Sequence, residues 1–407
     1  MEINRIINFY DQGVEIPSQL KTALLHLFDV DNIDDFFSKN ITKLREVSMM
    51  FCSGYKATYA DLAKEYAFYY LPINMFKVWK PLLDLAIKQQ IRSNFSVLEF
   101  GSGPGSSTFG VMEFFKILAE ENPNEDFCVN FTLLEKEPAF LSVFNDLFNT
   151  YKSDFPQNLK VSVKSYNQDI FDDLSFLSDE TYDLILESNV FNQNEGVLQN
   201  EIKIFEQLST KLNPHSSIIM IEPGRTEMLT SLHKIKNYFK VDHKLNIYAP
   251  CSYHNTGFQQ YATAALKIGN ISLLQELYKK GIEPKDKDYH YFEYLVLRND
   301  TLITHTNSCQ NTTPLNELKN YRDHRVNLEV NVLYTQVNDK VINLKICDGT
   351  ILGKTRIDLY IPLSVINQTK IDKAKIDRGA RIRVKKAKVI YDNLIECDEC
   401  SSIEIER

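Results

Sequence analysis

The chain has 407 residues, of which 43% are hydrophobic and 25% are charged, and its formal net charge is −8. This length exceeds that of an average single domain, so two or three domains are expected. The composition is typical of a globular protein and excludes a disordered or collagen-like chain, while the negative charge disfavours nucleic acid as a partner of the whole molecule.

Two features bear on the cellular compartment. No uninterrupted apolar run approaches the roughly 20 residues that span a bilayer, and the first residues lack the apolar core of a secretory signal. Seven cysteines, an odd number in a chain of this length, favour reduced thiols over a disulfide framework. We therefore expect a cytoplasmic protein without a membrane partner, and the sequence leaves the oligomeric state open.

Residues 1–92 are predicted to form a helical N-terminal region. Apolar side chains recur every three to four residues from Leu20 to Phe28 and from Tyr59 to Ala86. The second stretch contains an aromatic cluster made of Tyr66, Phe68, Tyr69 and Tyr70. These rings either pack in the core, or cover a ligand or stack on a base, and their spacing leaves both interpretations open.

The run from Val97 to Gly105 is the most informative segment of the chain. It is an apolar stretch followed by a turn with three glycines in five residues. Glycine tolerates positive φ and has no Cβ, so such a turn brings backbone N–H groups close to a ligand at the start of the next helix. The apolar residues from Val111 to Leu118 predict that helix. Together these elements predict a doubly wound α/β domain over residues 93–300, with its ligand beyond the carboxyl ends of the strands.

Later strands of this domain are predicted from apolar or alternating runs. They are Val129–Leu134, Lys160–Tyr166, Tyr182–Leu186, Ser217–Gly224 and Tyr291–Leu297, with a helix pair at 262–280 before the last. Glu135 follows the second strand, and Asp169 follows the third. Carboxylates at these ends can accept hydrogen bonds from ribose hydroxyls and from an adenine amino group, although a solvated strand end or a turn also favours such residues.

This order of elements resembles class I S-adenosylmethionine-dependent methyltransferases, a Rossmann-like fold, more than nicotinamide dehydrogenases. The methyl donor has no pyrophosphate, so its loop needs close backbone approach but not the complete GxGxxG motif. Glu99, two residues before the first glycine, suits the cationic amino-acid portion of that donor. The predicted cofactor-binding residues are Glu99, Gly101, Ser102, Gly103, Gly105, Glu135 and Asp169.

The catalytic candidates follow the fourth and fifth strands, where the resemblance implies that the methyl acceptor lies. Glu187 and Asn189 are predicted to contact the acceptor, and Glu222 is predicted to act as a base or to orient the acceptor. Polar residues at strand ends are the structural alternative. Because positioning supplies most of the catalysis in methyl transfer, a dedicated base can be absent. The Asn/Asp-Pro-Pro-aromatic signature of enzymes that methylate exocyclic amines of bases is missing, which disfavours that chemistry.

Beyond residue 300 the pattern changes. Residues 301–320, rich in Thr and Asn, are predicted to be a linker, and residues 321–407 a second domain. Short alternating strands are predicted at Val326–Val332, Val341–Ile346, Arg356–Ile361, Ala380–Val384 and Ser402–Ile405. This number of strands in such a short segment predicts a small C-terminal β-barrel of the oligonucleotide-binding (OB) type.

The second domain differs in charge from the rest of the chain. From Tyr321 to Ile395 there are 15 Lys and Arg against 8 Asp and Glu, a net charge of +7 that leaves −15 for the remainder. The predicted RNA-binding residues are Arg381, Arg383, Lys385, Lys386 and Lys388. Alternating cations of this kind can follow a phosphate backbone, and they also fit the solvated face of a half-buried strand.

Longer motifs point to a resemblance with one particular family of methyltransferase-like proteins. They are Leu98–Gly105, Tyr182–Ile185, Ile221–Gly224, Ala249–His254, Phe292–Leu297 and Ile346–Gly349. In this order they resemble the methyltransferase-like family associated with the mitochondrial small ribosomal subunit and its bacterial relatives. The resemblance implies RNA or the small ribosomal subunit as partner, with methylation of RNA or of a ribosome-linked protein. A cofactor-binding assembly factor without turnover and a small-molecule methyltransferase are the alternatives.

The same resemblance raises the question of a metal. Members of the family can hold an iron–sulfur cluster on four cysteines, and Cys251 and Cys347 match two of those positions. The other two cysteines are not found, and because four thiolates are the usual requirement, no cluster is predicted. Cys397 and Cys400 have the spacing of one zinc-ligand pair, but no second pair lies nearby, so no metal site is predicted.

Overall fold

The computed structural model describes residues 1–50, 59–172, 174–177, 180–190, 198–224, 232, 234–235, 238–239, 245–249, 263–282, 288–300, 312–348, 357–369, 376 and 380–406. The chain divides into two compact units. The first comprises Met1–Asn246 and Leu266–Thr301, and the second comprises Ile247–Ala265 and Leu302–Arg407. No helix among the described residues combines the length and the apolar character needed to cross a bilayer.

The first unit begins with helices, as predicted for residues 1–92. In the described part of this region they are α1 Asn4–Gln12, α2 Ser18–His26, α3 Ile33–Met49, α4 Tyr59–Asn74 and α5 Trp79–Ile87. Asn32 caps α3 by accepting a hydrogen bond from the backbone N–H of Asp35 at 2.9 Å. The apolar spacing that predicts these helices buries one face of each, with Phe36 and Phe68 fully buried.

A sheet follows the helices. The described strands up to residue 300 are β1 Asn94–Phe100, β2 Phe127–Glu135, β3 Leu159–Asn167, β4 Tyr182–Ser188, β5 Leu212–Pro223, β6 Asn246–Ala249, β7 Thr263–Lys267 and β8 Tyr289–Arg298. Strands β3, β2, β1, β4 and β5 lie side by side in this order and are parallel, and β8 pairs antiparallel with β5. This is the doubly wound order, and the antiparallel β8 separates it from the all-parallel dinucleotide-binding sheet.

The helices that accompany the sheet are α6 Ser106–Glu121, α7 Pro138–Tyr151, α8 Leu198–Ser209 and α9 Ser272–Lys279, with short 3₁₀ turns at Lys152–Asp154 and Ser175–Leu177. The helix pair predicted for 262–280 is wrong in its first half, which is strand β7. Burial alternates along that strand, with Ala264 and Leu266 buried and Lys267 exposed. The alanines favour a helix locally, and the tertiary setting overrides them.

Helix α6 lies close against the turn between α4 and α5. A Cβ on Gly110 would overlap the backbone carbonyl oxygen of Met75, so only glycine allows this approach. The indole Nε1–H of Trp79 donates a hydrogen bond to the carbonyl oxygen of Gly110 at 2.7 Å. The turn from Met75 to Val78 is therefore firmly fixed on α6.

The second unit contains another sheet. Its described elements from residue 312 onwards are a 3₁₀ helix Leu315–Tyr321, β9 Arg325–Val337, β10 Val341–Cys347, β11 Ile357–Pro362, α10 Leu363–Thr369, β12 Arg381–Tyr391, β13 Leu394–Glu396 and β14 Ser402–Glu406. The strand order is β13-β11-β10-β9-β12-β14, and β13 also pairs with β12. Leu315 and Leu318, inside the predicted linker, are buried in the core of this unit. The predicted second β-rich domain is thus present as a sheet, and its description as an OB-like barrel stays a prediction.

Candidate cofactor-binding cleft

A cleft of about 370 Å³ opens at the carboxyl ends of β1, β2 and β4 in the first unit. Its volume lies in the range of roughly 300–1,000 Å³ that is usual for small-molecule sites. Six of the predicted cofactor-binding residues line it: Glu99, Gly101, Ser102, Gly103, Glu135 and Asp169. The cleft therefore lies where the ligand of a doubly wound sheet is expected.

The glycine loop adopts the left-handed backbone that its sequence predicts. The φ angles are +61° at Gly101, +53° at Gly103 and +86° at Gly105. A Cβ on Gly103 would point into open space, so the backbone itself faces the cleft there. Gly105 is not one of the residues lining the cleft. It starts α6, and a Cβ there would overlap the ring of Phe144.

Glu135 ties the end of β2 to the glycine loop. Its Oε2 accepts a hydrogen bond from the N–H of Gly103 at 2.7 Å, and its Oε1 accepts one from the N–H of Glu137 at 2.8 Å. Burial raises the pKa of this carboxyl, although both hydrogen bonds oppose the shift. Each carboxylate oxygen retains a second lone pair that a ligand hydroxyl can use.

Glu99 is buried at the end of β1 and accepts a hydrogen bond from the hydroxyl of Thr108. Burial raises its pKa to about 8, and the charge of Glu135 adds to the shift. The carboxyl is therefore mostly protonated at neutral pH when no cation is near. A cation in the cleft would favour the ionised form.

Two hydroxyls in the cleft have unsatisfied hydrogen-bonding capacity. The Oγ atoms of Ser102 and Ser107 are buried, and neither has a hydrogen-bond partner among the described residues. Asp169 lines the same cleft; its Oδ1 accepts from the N–H of Phe171 at 3.0 Å, and its Oδ2 lies 3.8 Å from Nζ of Lys136. Buried polar atoms without partners are uncommon, so these serines are suited to contact a bound ligand.

One wall of the cleft is aromatic. The ring centroids of Tyr66 and Phe140 are 5.0 Å apart, and Tyr59 lies 5.8 Å from Tyr66. The aromatic cluster of the sequence is thus divided, because Tyr66 lines the cleft while Phe68 and Tyr69 are buried in the core. Tyr59 and Phe140 also line the cleft, and the sequence periodicity does not identify them as site residues.

The three catalytic candidates occupy different settings. Asn189 lines the cleft with φ at +60°. Glu187 is fully buried and accepts a hydrogen bond from the N–H of Val190 at 2.8 Å, so it holds the turn after β4. Glu222 is buried near the end of β5, opposite Glu293 in the β5–β8 ladder. Of the three, only Asn189 belongs to the residues that line the cleft.

Lys77 is a site residue that the sequence reasoning missed. It is buried, and its Nζ lies 3.5 Å from Oδ1 of Asn189. Burial lowers its pKa to about 7, against the attraction of Glu222. The available signal was a single lysine inside the otherwise apolar run from Met75 to Trp79.

In the second unit, the predicted RNA-binding residues of β12 lie beside carboxylates. Both Arg381 and Arg383 form ion pairs with Glu329. Lys385 pairs with Glu404 at 2.7 Å. Lys386 is exposed with φ at +58°, and Lys388 is half-buried. The positive charge on this strand is thus locally offset, and its role in RNA binding stays a prediction.

The cysteines that the sequence analysis considered as metal ligands are described only in part. Cys251 lies outside the described residues, as does the side chain of Cys347. Cys397 is fully buried, and burial raises the pKa of its thiol to about 12, while Cys400 is exposed. The described part of the chain contains no group of three or more His, Cys, Asp or Glu side chains arranged to hold a metal ion.

No protein-family model matches the chain. Two curated relatives come from Dictyostelium discoideum. Probable polyketide synthase 8/35 is 29% identical over 153 residues, which is 35% of this chain and 6% of that protein. Probable polyketide synthase 9/36 is 26% identical over 150 residues, 35% of this chain and 5% of that protein. The chain therefore spans only a small fraction of the length of these relatives.

Solved structures similar to the chain include methyltransferases. The plantazolicin methyltransferase BpumL in complex with S-adenosylhomocysteine is 14% identical, with 66% of this chain and 99% of that chain covered and a TM-score of 0.33. The N-methyltransferase NodS from Bradyrhizobium japonicum WM9, also with S-adenosylhomocysteine, is 14% identical, with 57% and 91% covered and a TM-score of 0.33.

Beside these matches, the methyltransferase class predicted from the sequence stays a prediction. Both solved neighbours are complexes with S-adenosylhomocysteine, and for this chain S-adenosylmethionine stays the predicted cofactor. The chain has the mixed α/β fold with a parallel sheet that was expected. Nothing in the matches named above refers to a ribosome or a mitochondrion, so the resemblance to the small-subunit-associated family stays a prediction.

Proposed function

We propose that the first unit binds S-adenosylmethionine in the cleft and transfers its methyl group to an acceptor beside Asn189. The observation that carries this proposal is the meeting of the glycine loop with three carboxylates, Glu99, Glu135 and Asp169, in one cleft. The cofactor bears positive charge on its sulfur and amino group and donors on its ribose and base. An acid-lined cleft with exposed backbone can match each of these groups.

The residues present fit this cofactor. Glu99 is suited to the amino group, Glu135 to the ribose hydroxyls and Asp169 to the base, as the sequence predicts. The partnerless hydroxyls of Ser102 and Ser107 can contact the ligand, and the open space at Gly103 admits it to the backbone. When bound, the cofactor supplies an activated methyl group, and the chain supplies its orientation.

Calorimetric titration tests cofactor binding. S-adenosylmethionine and S-adenosylhomocysteine are expected to bind, and nicotinamide adenine dinucleotide is not, because the loop is built for close approach without a pyrophosphate site. The Gly103→Val variant serves as the negative control. If neither S-adenosylmethionine nor S-adenosylhomocysteine binds, the proposal is refuted. Binding of the dinucleotide alone would point to a dehydrogenase.

The acceptor belongs to one of three classes: RNA, a ribosome-linked protein or a small molecule. RNA follows from the sequence resemblance, and the names of the curated polyketide synthases bring forward a small molecule. Transfer of a labelled methyl group to total RNA, ribosomal protein or a small-molecule extract separates the three. Cofactor binding without any transfer would favour the non-catalytic assembly factor.

We further propose that the second sheet closes into an OB-like barrel that binds RNA. Support comes from β13, which pairs parallel with β11 and antiparallel with β12, so that β9, β10, β11, β13 and β12 follow one another in a ring. The helix α10 lies between β11 and β12 in the sequence. A five-stranded barrel of this kind binds oligonucleotides in many unrelated proteins.

The ion pairs on β12 make the RNA proposal testable. RNA would have to replace the carboxylates of Glu329 and Glu404 with phosphates. Replacing both with Gln should therefore strengthen RNA binding, and replacing Arg381, Arg383, Lys385 and Lys386 with Glu should abolish it. Fluorescence anisotropy with single-stranded RNA at two salt concentrations measures both effects, since phosphate contacts weaken steeply as salt rises. Equal RNA affinity in the two variants would exclude this face of β12 as the RNA-binding site.

A further inference from the structure

Lys77 lies on a part of the molecule that is rigid enough to position another side chain. It is 2% exposed, and its neighbours Phe76 and Val78 are fully buried. The turn that carries them is pressed against Gly110 and held by the indole of Trp79. The turn that carries Lys77 is thus fixed on α6, and the lysine side chain is buried rather than extended into solvent.

The group that Lys77 contacts belongs to the cleft. Its Nζ lies 3.5 Å from Oδ1 of Asn189. The backbone N–H of Asn189 donates to the carbonyl oxygen of Ile221 at 2.8 Å, and its Nδ2 donates to Oγ of Ser188 at 3.0 Å. A lysine ammonium has donors and no acceptor, so the amide oxygen of Asn189 must face it and the NH₂ group must face away.

Among the described residues, titratable groups on β5 and β8 interact with Lys77. The charge of Glu222 favours the protonated lysine, and burial opposes it, so that its pKa is about 7. His290 on β8 has its pKa lowered well below the ordinary value, by burial first and by the charge of Lys77 second. The cluster therefore contains a lysine that is partly protonated near pH 7, the carboxyl group of Glu222 and a neutral imidazole.

We propose that Lys77 is a positioning residue on the acceptor side of the cleft: it fixes the carboxamide of Asn189 so that the NH₂ group is offered to the methyl acceptor. The acceptor is then a molecule with a hydrogen-bond-accepting oxygen or nitrogen near the methylated atom. A group that only donates hydrogen bonds cannot bind the NH₂ group and would have to share the amide oxygen of Asn189 with Lys77. This inference rests on the proposed methyl transfer for its functional meaning, but the contact itself can be tested without an acceptor.

The test is a nuclear magnetic resonance titration of protein labelled with ¹⁵N-asparagine. In the wild type the side-chain NH₂ signals of Asn189 are expected to shift with a midpoint near pH 7, as Lys77 loses its proton. The Lys77→Met variant should lose that shift. Lys77→Arg, which keeps the donors and stays charged, should hold the wild-type low-pH signals at all pH values.

A matched control and a pair of probes complete the experiment. Lys80→Met removes a neighbouring lysine that pairs with Asp84 at 2.6 Å, and it should leave the Asn189 signals and their shift unchanged. N,N-dimethylacetamide, which only accepts hydrogen bonds, should perturb the Asn189 NH₂ signals of the S-adenosylhomocysteine complex, whereas pyrrole, which only donates, should not. Equal responses to both probes would overturn the acceptor assignment.

The outcomes for Lys77 and for the proposed function can be told apart. An Asn189 shift that persists in Lys77→Met would overturn the positioning role, whatever the cofactor does. Lys77→Met is expected to bind S-adenosylmethionine within about twofold of the wild type, because Lys77 is not one of the residues that line the cleft. If the wild type itself fails to bind that cofactor, the proposed function falls, and the titration of the free protein still decides the role of Lys77.

Discussion

Cofactor binding should release a proton from Glu99. The pKa of this buried carboxyl is about 8, so between about pH 6 and about pH 7.5 it is mostly protonated in the free protein. The cationic amino group of S-adenosylmethionine would favour the carboxylate and expel the proton. At any pH between the pKa of Glu99 in the complex and its pKa in the free protein, one proton is released for each ligand bound.

The magnitude follows from this count. Release of one proton makes the association constant rise about tenfold for each pH unit, or about 1.4 kcal/mol of binding free energy. The sign is fixed by the raised pKa: affinity increases as pH rises towards about 8 and levels off above it. Titration calorimetry in two buffers with different ionisation enthalpies measures the affinity and the number of protons released.

Two variants make the assay specific. Glu99→Gln keeps an oxygen for the hydroxyl of Thr108 but has no proton to lose, so its cofactor affinity should not change over this pH range. Glu113→Gln is the matched control, because Glu113 is also buried, its pKa is raised to about 7, and it lies outside the cleft lining. It should retain the wild-type slope. A flat wild-type profile, or a slope that survives in Glu99→Gln, would refute the reasoning.

Further predictions concern the glycines and the thiols. Gly103→Val should weaken cofactor binding by about 100-fold or more in calorimetry, whereas Gly281→Val, at an equally open position with φ at +72°, should lose similar stability and keep its affinity. Gly110→Ala should lower the free energy of unfolding by about 3 kcal/mol or more in chemical denaturation, because its Cβ meets backbone rather than a mobile side chain. Mass spectrometry after brief alkylation of the native protein should find Cys400 modified and Cys397 unmodified; the reverse would contradict the burial of the latter.

Much of the fold could be predicted because several of its strands have a clear local sequence pattern. β1, β2 and β8 are apolar runs with polar ends, and the structure places each within a few residues of the predicted bounds. β13 was missed because three residues cannot display a period. β7 was missed because its alanines favour a helix in isolation. Both strands depend on neighbours that are distant in sequence.

The residues of the site likewise include some that the local sequence predicts and one that it does not. Glu99, Gly103, Glu135 and Asp169 lie at or just after the ends of β1, β2 and β3. Parallel strands bring their carboxyl ends to one edge, so sequence order alone brings these residues together. Lys77 contacts the cleft residue Asn189 from a turn between two helices, 112 residues earlier in the chain. That approach depends on the packing of α4, α5 and α6, which no local pattern encodes.

The fixed turn also constrains how the protein can be shortened. A recombinant fragment that began at residue 93 would discard Tyr59, Tyr66 and Asn74, and with them one side of the cleft. It would also uncover the surface of α6 at Gly110, on which the turn now rests. Newly exposed apolar surface of this kind promotes aggregation. The helices before the sheet therefore help to form the cleft, and truncations for crystallography or expression should retain them.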